Sequence, residues 1–328
     1  MTSRNPKIVV IGGGTGAFTL LSSIKEISNN ITAIVNMSDD GGSTGVLRDE
    51  LGVLPPGDIR QCLVALSNNP EVRDLFNYRF ENGRLRGQSL GNIIISGLEL
   101  KHGSFDKAIK VVGNILNISG KVVPATLDNH KLIAIDGSKL IEGESRIGSY
   151  CFQSSDIKLQ LVPRALINPD AKQAIAEADL IVIAPGNLYG TLLPILAISG
   201  MKQAISKSKA LVVSVVNLVT KPGQTDGWHV VDYVKKFEQY LGKNQIDVVL
   251  FNNKVPSKYL LWKYATDGEF PVSHSKLRFN EINSKTIGAS LVAKKIATQD
   301  PSDHIIKRTL IRHDAKIVAR KLQEILDK

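Results

Sequence analysis

The sequence predicts an α/β protein: an open, mainly parallel, Rossmann-like sheet with an inserted antiparallel β-rich segment. Three observations predict it. The chain opens with a strand, a glycine-rich loop, a helix and a second strand, the rhythm that makes a parallel pair. Strands and helices alternate again between residues 169 and 252. Between the two stretches lie short β-rich pieces separated by turn signals. Composition agrees, since 43% of the 328 residues are hydrophobic and only 5% aromatic. The core is therefore mostly Leu, Ile, Val and Ala, as in parallel sheets covered by helices.

Taken in order, Lys7–Ile11 reads as a buried strand, 12–16 as a loop, Ala17–Ile27 as a helix and Ile31–Asn36 as the second strand. A long loop from Met37 to Asp58, rich in Gly, Asp, Ser and Pro, follows; its length and composition are those of a functional or a disordered segment instead of a mere connection. From Asp58 to Leu116 the pattern is helical, with Asp58 placed to cap one helix and Asn92 to start another. Val122–Arg164 contains KVVPAT, KLIAID, KLIEGES and IKLQLVP, which suggest a meander inserted in the parallel sheet. Then come a helix at Pro169–Ala178, a strand at Leu180–Ala184, a helix at Leu193–Ser206, a strand at Ala210–Asn217, a helix at Gly227–Leu241 and a strand at Ile246–Asn252. Residues Asp303–Leu326 alternate basic and apolar positions at helical spacing. The whole chain, 1–328, is expected to form one large α/β domain, with the β-rich insertion at 120–165.

Several function classes lack their markers. The net charge is +10, but the basic residues are dispersed apart from a denser stretch at 276–328, without an aromatic-interleaved motif. A face that steers phosphorylated metabolites fits better than a nucleic-acid binder. The two cysteines, Cys62 and Cys151, have no metal or redox spacing, which fits a reducing, cytoplasmic setting, and Cys62 reads as a buried small hydrophobe. No signal or transit peptide is visible, and apolar runs are too short to span a bilayer. The six histidines form no ligand pair, and no G-x-S-x-G elbow occurs.

Four strand or loop ends carry the candidate chemistry. Gly12-Gly13-Gly14-Thr15-Gly16 lets backbone approach a phosphate at a helix N-terminus. Gly12, Gly14 and Ala17 satisfy the dinucleotide fingerprint, but the ribose acid expected near Asn36 is missing, and a structural glycine turn remains an alternative. Asp39-Asp40-Gly41-Gly42-Ser43 offers paired carboxylates that suit Mg²⁺ beside a diphosphate or a sugar hydroxyl, or simply an acidic turn. Arg48, Asp58 and Arg60 continue that loop, the arginines as phosphate forks or surface partners of acids. Ser89 and Asn92, in a glycine-flanked segment opening a helix, are ligand or capping residues. The loop with Gly186, Asn187 and Tyr189 exposes amides, and Tyr189 either stacks on a ring or packs half-buried. Asn217, Asn252 and Asn253, at strand ends, are candidates for base or ribose contacts.

In this order, Ile11-Gly12-Gly13-Gly14-Thr15-Gly16, Asp39-Asp40-Gly41-Gly42-Ser43, Pro56-Gly57-Asp58-Ile59-Arg60, Ser89-Leu90-Gly91-Asn92 and Pro185-Gly186-Asn187-Leu188-Tyr189 resemble the YvcK/CofD family over nearly the whole chain. One branch of that family transfers a phospholactyl-type group from a guanosine diphosphate conjugate to a deazaflavin, with Mg²⁺. The other, the gluconeogenesis-factor branch, is associated with UDP-N-acetylglucosamine, carbon metabolism and cell shape. Gly-Gly-Ser-Thr-Gly after the paired acids, Asn92, and Thr220–Asp226 resemble the second branch. Asn187 and Gly190-Thr191 depart from the family's Pro-Gly-Ser-Leu-Tyr-Thr-Ser loop.

The resemblance implies a UDP-sugar-binding regulator, with Gly12–Gly16 on the diphosphate and Asp39 on the sugar or metal side. The alternative is a transferase in which Asp39 or Asp40 orients Mg²⁺ and an acceptor hydroxyl. An NAD-dependent dehydrogenase keeps only the glycine fingerprint. Membrane insertion and nucleic-acid binding are not expected, and a homo-oligomer is compatible with the sequence.

Overall fold

Apolar residues in β1 (Ile8–Gly12) point alternately to two sides, and every residue of the strand is buried. Such a strand must be covered on both faces, and it is. Ile8 and Val10 belong to one apolar core, Val9 and Ile11 to another. The computed structural model describes residues 5–154, 156–293 and 311–327.

After β1 come α1 (Gly14–Ile24), β2 (Ile31–Val35), α2 (Gly42–Leu51), α3 (Gly57–Leu66), α4 (Pro70–Asn77), α5 (Leu90–His102), α6 (Phe105–Ile115) and β3 (Lys121–Pro124). β4 (Lys131–Asp136), β5 (Lys139–Glu142), α7 (Glu144–Ser149) and β6 (Lys158–Val162) form the middle of the chain. Next are α8 (Pro169–Glu177), β7 (Leu180–Ile183), a π-helical turn (Leu188–Leu192), α9 (Leu193–Ala197), α10 (Met201–Lys207) and β8 (Leu211–Val215). The last described elements are α11 (Val230–Leu241), β9 (Val248–Asn252), α12 (Lys258–Ala265), a 3₁₀ turn (Lys276–Glu281), β10 (Lys285–Ala289) and α13 (Ala315–Leu326).

The main sheet has seven strands in the order β10-β9-β8-β7-β1-β2-β3, all paired in parallel. Chain order runs outward from β1 in one direction through β2 and β3, and from β7 in the other through β8, β9 and β10. The β1–β7 boundary is thus the switch point, where open α/β sheets form a crevice at the carboxyl ends of the strands. The expected α/β class, mainly parallel with a small antiparallel addition, is what the chain forms.

Details differ from the sequence reading. The segment 37–58 is not all loop, because Gly42–Leu51 is helical and ends on Gly52 in the left-handed region. Its composition, with glycines at 42 and 45, hid a helix held by contacts with α5. Asp58 lies in the first turn of α3, whose cap is Pro56, and Asn92 lies inside α5, whose cap is Ser89. The piece KVVP is no part of the meander: it is β3, parallel to β2. The antiparallel sheet contains only β5-β4-β6. The helix expected at 193–206 breaks into α9 and α10 around Gly200, which adopts φ 98°. α12 and β10 carried no strong periodicity and were not anticipated. α13 starts at Ala315, and the earlier part of the helix expected from Asp303 falls, up to residue 310, outside the described residues. No helix among the described residues is long and apolar enough to cross a membrane.

Candidate functional site

The loops after β1, β2 and β7 meet at the switch point. There a cavity of about 180 Å³ is lined by Gly14, Thr15, Asn36, Asp39, Asp58, Gln61, Glu144 and Thr191. It is smaller than the roughly 300–1,000 Å³ of pockets that enclose whole drug-sized ligands, so it suits one moiety of a larger molecule.

Carboxylates dominate its wall. Burial raises the proton affinity of Asp39, while hydrogen bonds from the Gly41 amide and Thr44 oppose it and the neighbouring Asp40 adds to it. Asp58 is pushed well above the carboxylate range by burial and by Asp39 and Glu144, with the Gly14 amide pulling the other way. Glu144 is raised to about 7, first by burial and then by Asp39 and Asp40, against the pull of Lys221. Asp58 therefore takes up an amide at the start of α1, the end expected to cradle a diphosphate, and an internal carboxylate stands beside the glycine loop.

The paired acids point apart. Asp39 faces the cavity, whereas both oxygens of Asp40 accept backbone N–H groups of α7, from Glu144 at 2.9 Å and Ser145 at 2.8 Å. Asp40 is thereby the anchor that brings Glu144 to the site. Arg48 donates to the backbone oxygen of Asp39 at 2.8 Å and to that of His130 at 3.1 Å, tying the loop to β4. Asp39, Arg48 and α7 thus form one mechanical unit.

Glu144 carries the site's main surprise. Nothing in the stretch Gly143-Glu144-Ser145 distinguishes it from a surface turn; the pairing of β4 with β5 and the Asp40 anchor together aim it at the cavity. Gly190 makes room for it, because a Cβ there would overlap Glu144 and come within 2.8 Å of Asn187 Nδ2. The glycine at position 190, one of the departures in the loop sequence, is explained by this close approach. Asn187 accepts from the Gly190 amide at 3.2 Å, and Asn36 donates to the Gly190 carbonyl at 3.2 Å. Asn36, Gln61, Thr191 and Glu144 line the cavity without having been singled out as site residues.

Other candidates serve the scaffold. Arg60 is buried and donates to Asn92 Oδ1 at 2.9 Å and to Asn77 Oδ1 at 2.8 Å. Asn92 in turn donates to Ser43 Oγ at 3.2 Å, and Ser43 donates to Gln88 Oε1 at 2.7 Å. Ser89 donates to the Phe76 carbonyl at 3.3 Å. This buried polar network joins α2, α3, α4 and α5 behind the cavity, so Arg60 is no surface phosphate fork, and Ser43, Ser89 and Asn92 hold helices together. Tyr189 is only 2% exposed, with its ring 4.7 Å from that of Phe152 and the Lys236 ammonium 5.6 Å above it. It cannot stack on a ligand in this conformation.

Asn217 uses both ends of its amide on Gly186, accepting from its N–H at 3.0 Å and donating to its carbonyl at 2.9 Å. It staples the β7 loop instead of facing a base. Asn252 accepts from Leu291 and donates to Lys254, and Asn253 is exposed; both lie at the end of β9, with β8 and β7 between them and β1. Across the Asp39–Asp40 segment a larger hollow of about 590 Å³ is lined by Arg48, Lys131, Arg146, Ser145 and a buried pair, Ser38 and His130.

The acids do not amount to a self-sufficient metal centre, since no group of three or more His, Cys, Asp or Glu among the described residues is arranged to hold an ion. Mg²⁺ commonly needs only one or two carboxylates when phosphate oxygens complete its shell. Asp39 and Asp58 fit that arrangement.

The family model described as 2-phospho-L-lactate transferase CofD matches residues 8–292. A putative gluconeogenesis factor of Thermotoga maritima is 39% identical, over 97% of this chain and 99% of its own. The gluconeogenesis factor of Bacillus subtilis is 37% identical, over 98% and 99%. A crystal structure of a UPF0052-family protein from Bacillus halodurans superposes with a TM-score of 0.88 at 34% identity, covering 98% of this chain and 99% of that one.

Proposed function

This chain belongs to the CofD family, alongside relatives named gluconeogenesis factor, and from that premise we propose that it binds a nucleoside diphosphate sugar of the UDP-N-acetylglucosamine kind and acts as a regulator of carbon metabolism and cell shape. The observation that carries the proposal is the lining of the 180 Å³ cavity: three carboxylates, two amides and two threonine hydroxyls, with no Lys or Arg. Carboxylates and amides arranged around a small volume are acceptors and donors for the hydroxyls of one sugar ring. That lining offers a bare diphosphate no cationic side chain. In this reading the sugar lies against Asp39, Asp58 and Glu144. The diphosphate lies at the rim, over the loop 12–16, where the amides at the start of α1 meet it; in the neighbouring hollow Arg48, Lys131 and Arg146 stand among Asp40, Asp49 and Glu142, and Lys131 pairs with Glu142 at 2.6 Å.

The crowding of acids also gives weight to a second reading, a transferase acting on a nucleoside diphosphate conjugate. Mg²⁺ held by Asp39 and Asp58 would supply charge neutralisation and Lewis acidity when bound. In that case this chain's residues orient the conjugate and an acceptor hydroxyl.

Asp39→Asn separates the two. For a binder the amide keeps the shape but loses a charge-assisted hydrogen bond, worth about 1.5–3 kcal/mol. The expected result is UDP-N-acetylglucosamine affinity lower by roughly 10- to 150-fold, little Mg²⁺ dependence, and no group transfer by the wild type. Mg²⁺-dependent transfer that the variant loses while keeping its affinity would replace the regulator with the transferase.

A further inference from the structure

α12 buries Leu260 and Tyr264 and turns the opposite side outward. On that side Trp262 is 67% exposed and Tyr259 60%, and Val255, just ahead of the helix, is 69% exposed. Trp262 is one of only two tryptophans in the chain. The exposed Trp and Tyr rings beside Val255 offer an apolar contact surface with polar tips. Lys254, Lys258 and Lys263 are exposed around it. The helix itself, KYLLWKYA, contains no acid, and Asp267 lies beyond its C-terminal end.

We propose that this ridge is a peripheral docking surface for an anionic lipid bilayer, independent of the nucleotide reading above. Shape and charge select that occupant. The ridge is one helix wide, and residues 254–263 line none of the four main hollows among the described residues, which suits a broad, flat layer. A second copy docked about a twofold axis would bring the same patch against itself, setting the lysines of one copy, Lys254, Lys258 and Lys263, against those of the other. An anionic headgroup layer removes that repulsion. It also accepts Trp and Tyr at the depth where their amphipathic rings settle, while the lysine stems lie along the apolar surface and keep their ammonium groups in the headgroups. Each lysine near such a surface strengthens partitioning roughly fivefold, and the three together roughly a hundredfold. The attachment is interfacial and involves no spanning helix.

The test uses the full chain and vesicles of phosphatidylglycerol mixed with phosphatidylcholine, against phosphatidylcholine alone. The chain is expected to sediment with the anionic vesicles at low ionic strength and to be released by salt. In a Trp228→Phe background Trp262 is the sole tryptophan, and its emission is expected to shift to the blue and to be quenched by brominated lipid. Lys258→Glu with Lys263→Glu should abolish vesicle binding, and Trp262→Ala should weaken it several-fold. Both variants should keep the wild-type melting temperature, because the altered side chains are exposed. No sedimentation on anionic vesicles, equal binding to neutral ones, or unaltered binding in both variants would each overturn the proposal. So would a dimer in light scattering that Trp262→Ala disperses, which would assign the ridge to a second copy, or an acidic protein segment that competes while vesicles do not bind.

Discussion

Glu144→Gln is expected to stabilise the ligand-free protein at pH 8 by roughly 3 kcal/mol and to leave it nearly unchanged at pH 4.5. Glu144 is held at about 7 in the fold, against an ordinary 4.5, by burial and by the charges of Asp39 and Asp40. The unfolded chain therefore ionises this group first as the pH rises. The stability contributed by the protonated form is complete below about 4.5 and is lost as the pH climbs through about 7. The gap between 4.5 and about 7, at about 1.4 kcal/mol per pH unit, gives roughly 3 kcal/mol. Glutamine keeps the shape and removes the titration. Urea unfolding of both proteins across pH 4.5–8 checks it: the wild type should lose stability relative to the variant over that window. Parallel pH profiles would mean that Glu144 is solvated and that the carboxylate cluster is looser than described.

Gly14→Val is expected to eliminate nucleotide-sugar binding while the fold survives. Gly14 adopts φ +59°, the left-handed region, where an L side chain costs about 1–2 kcal/mol, and a β-branched one at the upper end of that range. Space does not forbid it, because the nearest heavy atom to an added Cβ is Asp58 Oδ1 at 3.6 Å. A domain with about 5–15 kcal/mol of stability tolerates the strain. The isopropyl group then stands in the cavity beside Asp58, in volume that the ligand needs. Affinity should fall by at least about a hundredfold, close to 3 kcal/mol, with a circular dichroism spectrum like the wild type's and a melting temperature a few degrees lower. A folded variant with unchanged affinity would move the ligand away from the glycine loop.

Much of the architecture was legible because its signals are local. Buried strands such as IVVIG and LIVI, each leading into a glycine-containing loop, mark both strands at the switch point without any long-range information. The glycine loop and Asp39 were legible for the same reason. The remainder depends on pairing across the chain. Asp40 looks like a twin of Asp39 in sequence, and only the packing of α7 shows that its oxygens accept the amides of residues 144 and 145. Glu144 has no local mark at all. Arg60 and Asn92 carried the residue types of a phosphate site, yet they hydrogen-bond to each other in the interior, because a buried charge and a buried amide satisfy one another wherever helices cross. Asn217 has the polarity of a base contact and instead braces Gly186. Residue type indicated chemistry correctly as hydrogen bonding, but partner choice is a tertiary property.

The most direct measurement of the central claim is a calorimetric titration of the wild-type chain with UDP-N-acetylglucosamine, GDP and NAD, each with and without Mg²⁺. Saturable binding of UDP-N-acetylglucosamine that changes little with Mg²⁺ is expected, with weaker binding of GDP for want of the sugar that meets Asp39, Asp58 and Glu144, and no binding of NAD. Tight binding of NAD with no heat from the UDP-sugar would contradict it.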